Sequence, residues 1–286
     1  MAKNDQKDQE SDTGHVWDGI RELTNDPPKW WTICFYISLV WCIVYFVLYP
    51  SIPLVNGSTK GVLGWTSIEE YKESVQKHDA LRSPYLAKLE KMTVQQVLDD
   101  QEMLNFANAY TNSIFGDNCA ACHGRNGQGS PGRFPSLLDD TWLYGGTVEA
   151  INESITYGRQ GMMPAFSGEI SDDDIGKLAD FVIALAELGD HEDAPNWELF
   201  EESGCSQCHG VHAKGNTDFG SANLTDKIWR FGSSRHEVIH TITDGINDGS
   251  HEGARNAVMP NFDERLTEND IKLLTARVWS LGGGQK

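Results

Sequence analysis

Two copies of one pentapeptide, Cys119-Ala-Ala-Cys122-His123 and Cys205-Ser-Gln-Cys208-His209, constrain this chain more than any other feature. C-x-x-C-H is the pattern for covalent attachment of c-type haem. Thiols three positions apart add to the two vinyl groups at one porphyrin edge, and the adjacent imidazole then reaches the iron from one face. The other two cysteines, Cys34 and Cys42, lie within residues 30–49 and read as small apolar residues. Zinc ribbons place their cysteine pairs about 15–20 residues apart, whereas Cys122 and Cys205 are 83 apart and each pair runs directly into histidine. A thioredoxin-like pair would need a βαβ setting, and structural disulfides would leave both histidines without a task. The expectation is two covalent haem c groups, one on Cys119 and Cys122 and one on Cys205 and Cys208, with His123 and His209 as axial ligands.

The opposite axial position also has a candidate in each half. Haem iron held by histidine on one side often takes methionine on the other, which raises its potential. Met163-Pro164 lies 40 residues after His123, and Met259-Pro260 lies 50 after His209. The residue before proline is biased toward extended backbone, so such a loop can present its side chain inward. Met162 is the nearest competitor, but only Met163 matches the Met-Pro of the second half. Bis-histidine ligation is the alternative, with His212, His236, His240 and His251 available in the second half, but the first half has no second histidine and surface solvation is the simpler account of all four.

The duplication extends beyond these ligands. Pro135-Ser-Leu137-Leu-Asp139-Asp-Thr-Trp142-Leu-Tyr144-Gly145 aligns without gaps on Ala222-Asn-Leu224-Thr-Asp226-Lys-Ile-Trp229-Arg-Phe231-Gly232. Ile155-Thr156-Tyr157-Gly158 likewise matches Ile242-Thr243-Asp244-Gly245, after which the second copy carries nine extra residues, a polar stretch around Asn247–Asn256. Each copy ends on an expected helix, capped by Ser171 or Thr267 with acidic residues in the first turn. Ile175, Leu178, Val182 and Leu185 form an apolar stripe on one, and Ile271, Leu274, Val278 and Leu281 on the other. A helical segment also precedes each haem motif, with Phe106, Tyr110 and Ile114 in the first copy and Trp197, Leu199 and Phe200 in the second. The expected unit is therefore helix, haem loop, Trp-bearing irregular segment, Met-Pro loop and closing helix. Units this small have a marginal core of their own, and a covalent haem would supply the missing apolar centre.

Residues 30–49 contain no charge and carry Trp30, Trp31 and Tyr49 at their ends. About 20 apolar residues suffice to cross the hydrocarbon core, and amphipathic rings favour the interfaces. A cleaved signal peptide fits less well, because the run is long, follows 29 residues of polar chain and lacks a small-x-small site. The expected fold is all-α: one N-terminal transmembrane helix followed by two tandem cytochrome c-type haem domains. The expected order is an N-terminal segment 1–29, a transmembrane helix 30–49 and a linker with helical spacer 50–102. Haem domains follow at 103–190 and 194–286, joined by the short connector around Gly189–Pro195. Lysine and arginine near the span give only slight orientation bias. C-type haem is attached on the outer side of energy-conserving membranes in bacteria. The expected topology is therefore single-pass in the bacterial inner membrane, with the N-terminus cytoplasmic and the haem domains periplasmic.

The formal net charge is −19; residues 1–29 hold four Lys/Arg and seven Asp/Glu, so sixteen net negative charges fall beyond the span. Phosphate would be repelled, which argues against nucleic acid as a partner. An acidic surface can steer a basic protein, here a soluble basic cytochrome c as electron donor; plain solubility is the other reading.

Taken together, Trp17-Asp18-Gly19-Ile20, Glu22, Asn25-Asp-Pro27-Pro28, Trp30-Trp31, the single span, Gly61-Val-Leu63-Gly64-Trp65 and the two C-x-x-C-H units with their Met-Pro partners resemble one family. It is the di-haem subunit III of cbb3-type cytochrome c oxidase, the CcoP or FixP family. The haem motifs are generic, whereas the tryptophan-rich lead-in with this layout is specific, and the resemblance covers nearly the whole chain. It implies electron transfer from soluble cytochrome c, through two haems, to the mono-haem subunit. From there electrons reach the catalytic subunit, whose haem–copper centre reduces oxygen to water with proton pumping. The family roles fall on Cys119, Cys122, His123 and Met163, and on Cys205, Cys208, His209 and Met259. In that family the methionines are described as exchanged between haems, which would give Met163 to the second haem and Met259 to the first; spacing alone leaves the pairing open. Some members have two spans, whereas this sequence shows one. Nothing in the chain reduces oxygen alone, since it has no multi-histidine membrane helix, so it reads as the electron-input subunit of an oxidoreductase. A membrane-anchored di-haem subunit of a periplasmic dehydrogenase shares the chemistry without the N-terminal signature. A di-haem peroxidase would need an open iron position, and a gas sensor an output module.

Overall fold

The computed structural model describes residues 12–24, 26–189 and 194–283. It divides into two units, residues 1–81 and 82–286. In the first, β1 (Asp12–Trp17) and β2 (Ile20–Leu23) pair antiparallel around Asp18-Gly19. Both turn residues have positive φ, 50° and 85°, the left-handed backbone that Asp-Gly adopts in a two-residue hairpin turn. This hairpin lies in the N-terminal segment 1–29, to which the sequence assigned no element.

Helix α1 (Lys29–Leu48) follows, displaced by one residue from the expected span, with mean hydropathy 2.1 and no buried residue. Its first turn is set by the Pro28 carbonyl, which accepts from the N–H groups of Trp31 and Thr32 at 2.9 and 3.2 Å. It stops where Tyr49 takes extended backbone ahead of Pro50. The last carbonyls of a helix lack internal partners. Here the chain folds back through the β3 (Pro53–Leu54) and β4 (Gly57–Ser58) hairpin to cover them. Val62 and Leu63 donate to the carbonyls of Val47 and Leu48 at 2.9 and 3.1 Å. Gly61, with φ 68°, makes this approach possible, since a Cβ there would collide with the Leu48 carbonyl.

The second unit is helical. After α2 (Ser67–Leu89), which carries Pro84 inside it, come α3 (Val94–Asp99), α4 (Gln101–Asn118), α5 (Ala120–His123) and α6 (Val148–Tyr157). Strand β5 (Arg159–Gln160) leads to α7 (Asp172–Leu188), then α8 (Trp197–Glu202), α9 (Cys205–His209) and α10 (Arg235–Asp244). Strand β6 (Val258–Met259) and α11 (Glu268–Ser280) complete it. The expected caps are in place: Ser171 accepts from Asp174 N–H, and Thr267 forms a reciprocal capping box with Asp270.

The two haem-motif cores do not follow the linear closure expected from the repeat. One joins Phe115 of α4 and Ile151 and Ile155 of α6 to Phe262 and to Ile271, Leu274 and Val278 of α11. The other joins Ile175, Leu178, Phe181, Val182 and Leu185 of α7 to Phe200 of α8 and to Val238 and Ile242 of α10. Each copy keeps its haem motif, its tryptophan segment and the helix after it, but its closing helix packs in the other copy's core. The crossing is pinned where β5 pairs antiparallel with β6, Arg159 opposite Met259 and Gln160 opposite Val258. The connector at 190–193 lies outside the described residues. A third cluster, Leu89, Val97, Met103, Ala107, Leu273 and Ala276, packs the end of the spacer against α4 and α11.

Candidate haem-binding sites

Each C-x-x-C-H motif lies on a short helix, α5 or α9, whose following residue, Gly124 or Gly210, turns out of it at φ 75° or 82°. The chain then loops back beneath the histidine. His123 Nδ1 donates to the Pro135 carbonyl at 3.0 Å, and His209 Nδ1 donates to the Ala222 carbonyl at 2.8 Å. That bond orients each ring and leaves Nε2 available to coordinate a metal. Among the described residues no hydrogen bond engages Nε2 of either ring. Burial pulls both imidazoles below the ordinary histidine range, opposed by the carbonyl bond; at His123 the Arg230 charge lowers it further. Neutral imidazole is the form that binds iron.

The cysteines are graded by position. Cys119 and Cys205 are half-buried, Cys122 and Cys208 exposed. Burial pushes the thiols of Cys119 and Cys205 up to about 11. Cys119 and Ala120 pack against the core that also holds Leu137, Trp142 and Met259. Cys205 packs against the core holding Leu224, Trp229 and Met163. Met162, by contrast, is 70% exposed.

Both methionine loops are built in the same way. Met163 exchanges backbone hydrogen bonds with Ile246, at 3.0 and 2.9 Å, just past the end of α10. Phe262, three residues after Met259, donates to the Thr156 carbonyl at 3.1 Å at the end of α6. A Cβ at Gly245 (φ 74°) would stand 2.5 Å from the Met163 carbonyl oxygen, and one at Gly158 (φ 70°) would collide with that of Met259. The aligned Ile-Thr-x-Gly elements are thus the seats on which the other copy's Met-Pro backbone rests. The polar insertion of the second copy braces one loop further. Asp248 accepts from Ala165 N–H at 2.8 Å, and the Asn247 amide donates to the Gly161 carbonyl at 2.6 Å.

The four histidines weighed as alternative ligands separate into two kinds. His212 and His236 are exposed. His240 and His251 are half-buried and flank Asp244 at 3.0 and 3.2 Å, and His251 Nε2 lies 3.0 Å from Ser167 Oγ. Both still meet solvent, with 39% and 35% of their side chains exposed, while engaging Asp244.

Both sites fit the group that the motif implies: an apolar core, two cysteines at its edge, a carbonyl-oriented histidine and a methionine on a hydrogen-bonded loop. A model of the N-terminal domain of cytochrome oxidase-cbb3 FixP matches residues 9–56, and one of cbb3-type cytochrome c oxidase subunit III matches 108–182. A cytochrome c model matches 197–282. A cbb3-type cytochrome c oxidase subunit FixP of Azorhizobium caulinodans is 41% identical over 285 residues, covering 96% of this chain and 94% of the relative. The chain belongs to the FixP/CcoP family. A subunit CcoP of Azospirillum brasilense is 37% identical over 291 residues, and one of Cereibacter sphaeroides 35% over 287; each alignment covers 96% of this chain and 95% of the relative. As a FixP/CcoP member the chain is a di-haem c electron-transfer subunit of an oxidoreductase complex. The other subunits of that oxidase are its partners, and α1 is suited to anchor it in a membrane.

Proposed function

We propose that His123 and Met259 ligate one haem iron and His209 and Met163 the other, with Cys119 and Cys122, and Cys205 and Cys208, as the thioether attachments. The observation that carries this is the packing of Cys119 with Met259 in one core and of Cys205 with Met163 in the other. The segments 103–190 and 194–286 are, in this reading, two haem domains that trade their closing parts. Haem iron supplies a reversible one-electron couple when bound. The chain's own residues hold it: Pro135 and Ala222 orient the histidines, Gly158 and Gly245 seat the methionine loops, and the apolar core limits water. Met-Pro loops on both sides leave no position for oxygen or peroxide, so the chain transfers electrons rather than reducing oxygen.

The chain receives electrons from a soluble basic cytochrome c. It delivers them to the mono-haem subunit and thence to the haem–copper subunit, where oxygen reduction is coupled to proton pumping. The acidic excess beyond the span supports a basic donor. Single-pass insertion in the bacterial inner membrane, with residues 1–29 cytoplasmic and the haem domains periplasmic, follows from attachment of c-type haem outside that membrane.

Affinity isolation of the tagged chain from solubilised membranes tests the assignment. Recovery with a mono-haem cytochrome and a subunit containing haem b and copper is expected. Recovery with a quinoprotein dehydrogenase instead would overturn it. Protease added to spheroplasts should cut the haem domains; their protection would reverse the topology.

A further inference from the structure

Tyr144 stands where the two copies meet. It follows Trp142, which packs against the core around the first haem motif, yet its own ring lies against backbone that serves the second. A Cβ at Gly220 would collide with the ring, and one at Gly161 would stand 2.7 Å from its hydroxyl. Arg159 covers the ring at 4.6 Å from its centre, and is itself held by Glu153 at 3.1 Å and Ser154 at 2.9 Å.

Both glycines lead directly to ligands of one iron. Gly220 begins the segment Gly220-Ser221-Ala222, in which Ser221 Oγ donates to the Cys208 carbonyl at 2.5 Å and the Ala222 carbonyl accepts from His209 at 2.8 Å. Gly161 lies two residues before Met163. The corresponding positions at the other iron differ. The residue two before Pro135, whose carbonyl serves His123, is Arg133, and the residue two before Met259 is Ala257. Phe231, which aligns with Tyr144, therefore has no matching pair of glycines to enter. The close approach runs one way, from the first copy to the second site.

We propose that Tyr144 is a positioning residue for the His209–Met163 haem, its ring wedged between the segment that orients His209 and the loop that carries Met163. This rests on the crossed ligand assignment above, since only there do both seats belong to one iron. Close-packed side chains hold their neighbours by volume, and metal–ligand distances hold within about 0.2 Å. Removing the ring lets both segments shift. His209 stays tied through the adjacent Cys208 thioether, so Met163 is the ligand that withdraws. Methionine raises the potential of a histidine-ligated haem, and its withdrawal lowers it.

Spectroelectrochemical titration of the purified, haem-loaded full chain reads this, with Met163→His and Met259→His assigning the two waves. In Tyr144→Ala, or in Tyr144→Leu should that variant not mature with two haems, the far-red sulfur-to-iron contribution of Met163 should be lost. Its wave should fall in potential while the Met259 band and wave stay in place. Tyr144→Phe keeps the ring and should match the parent chain. With two covalent haems bound, an unmoved Met163 wave, equal displacement of both waves, or a Tyr144→Phe that behaves like Tyr144→Ala overturns the inference. Failure of the underlying assignment reads differently. Cys205→Ala leaves its haem attached through Cys208 alone and displaces that haem's α band. If the displaced band follows the Met259 wave, the ligands are not crossed and this inference falls with them.

Discussion

Substituting Gly245 by alanine tests the exchange of methionine loops most sharply. Gly245 has φ 74°, and an added Cβ would lie 2.5 Å from the Met163 carbonyl oxygen and 2.8 Å from Ala165 N. Left-handed backbone costs a non-glycine residue about 1–2 kcal/mol. The clash is with backbone, so no rotamer relieves it; to reach even 3.0 Å the Met163 carbonyl must retreat by about 0.5 Å. Overpacking of this kind adds about 1–3 kcal/mol. The sum, about 2–5 kcal/mol, corresponds to a fall of about 4–20 °C in the Tm of a unit this size. Metal–ligand distances hold within about 0.2 Å, so Met163 should leave its iron. Scanning calorimetry and the far-red sulfur-to-iron band of the oxidised protein provide the assays, with Met163→His and Met259→His marking the two contributions. Loss of the Met163 contribution is expected, with that of Met259, from the same copy as Gly245, retained. An unchanged Tm with both bands intact, or loss of the Met259 contribution alone, would rule out Gly245 as the seat of the Met163 loop.

Phe181→Ala should cost about 3–5 kcal/mol, because the ring is fully buried and packs on Phe200 with centroids 5.1 Å apart; calorimetry should show a Tm well below that of the parent chain. Arg235→Ala should leave the urea midpoint nearly unmoved, since the 2.6 Å Arg235–Asp180 pair is exposed on both sides. The Asp248 carboxyl is held down to about 2 by hydrogen bonds from Ser250 and the Ala165 N–H, against about 3.9 in an unfolded chain. Its stabilising contribution is therefore complete above about pH 4 and lost as pH falls through about 2. Asp248→Asn should be less stable than the parent at pH 6, with the gap closing below pH 4 in acid-unfolding curves.

Much of the site was legible because its chemistry is local. A haem pentapeptide, a Met-Pro loop and a Ser or Thr cap before acidic residues each declare themselves within a few positions. The partnering of the closing helices was not legible, and the reason is physical. Ile175, Leu178 and Val182 present nearly the same apolar stripe as Ile271, Leu274 and Val278, so either helix suits either core. The choice is made by backbone, at the β5–β6 pairing and at the glycine seats Gly158 and Gly245. Those glycines were visible as a repeated Ile-Thr-x-Gly element, but a glycine states only that something comes close, not what. The N-terminal hairpin escaped for another reason: its strands are short and mix polar with apolar residues on each face, so only Asp18-Gly19 marked it. His240 and His251 look like surface residues in sequence because their shared Asp244 and the Ser167 contact come from distant positions.

The crossed closing helices also bear on how such a chain is made. The core around the first haem motif needs Ile271, Leu274 and Val278, which are synthesised after the second haem motif. The core around the second needs α7, which is synthesised before the second haem motif exists. Neither core is complete when a ribosome has passed only the first copy, so the two finish together and late. Contacts this distant in sequence slow folding, so Cys119 and Cys122 stay accessible for longer than they would in a core closed within one copy. It follows that cutting the chain between the copies would yield no half-cytochrome, but two fragments that each lack a wall.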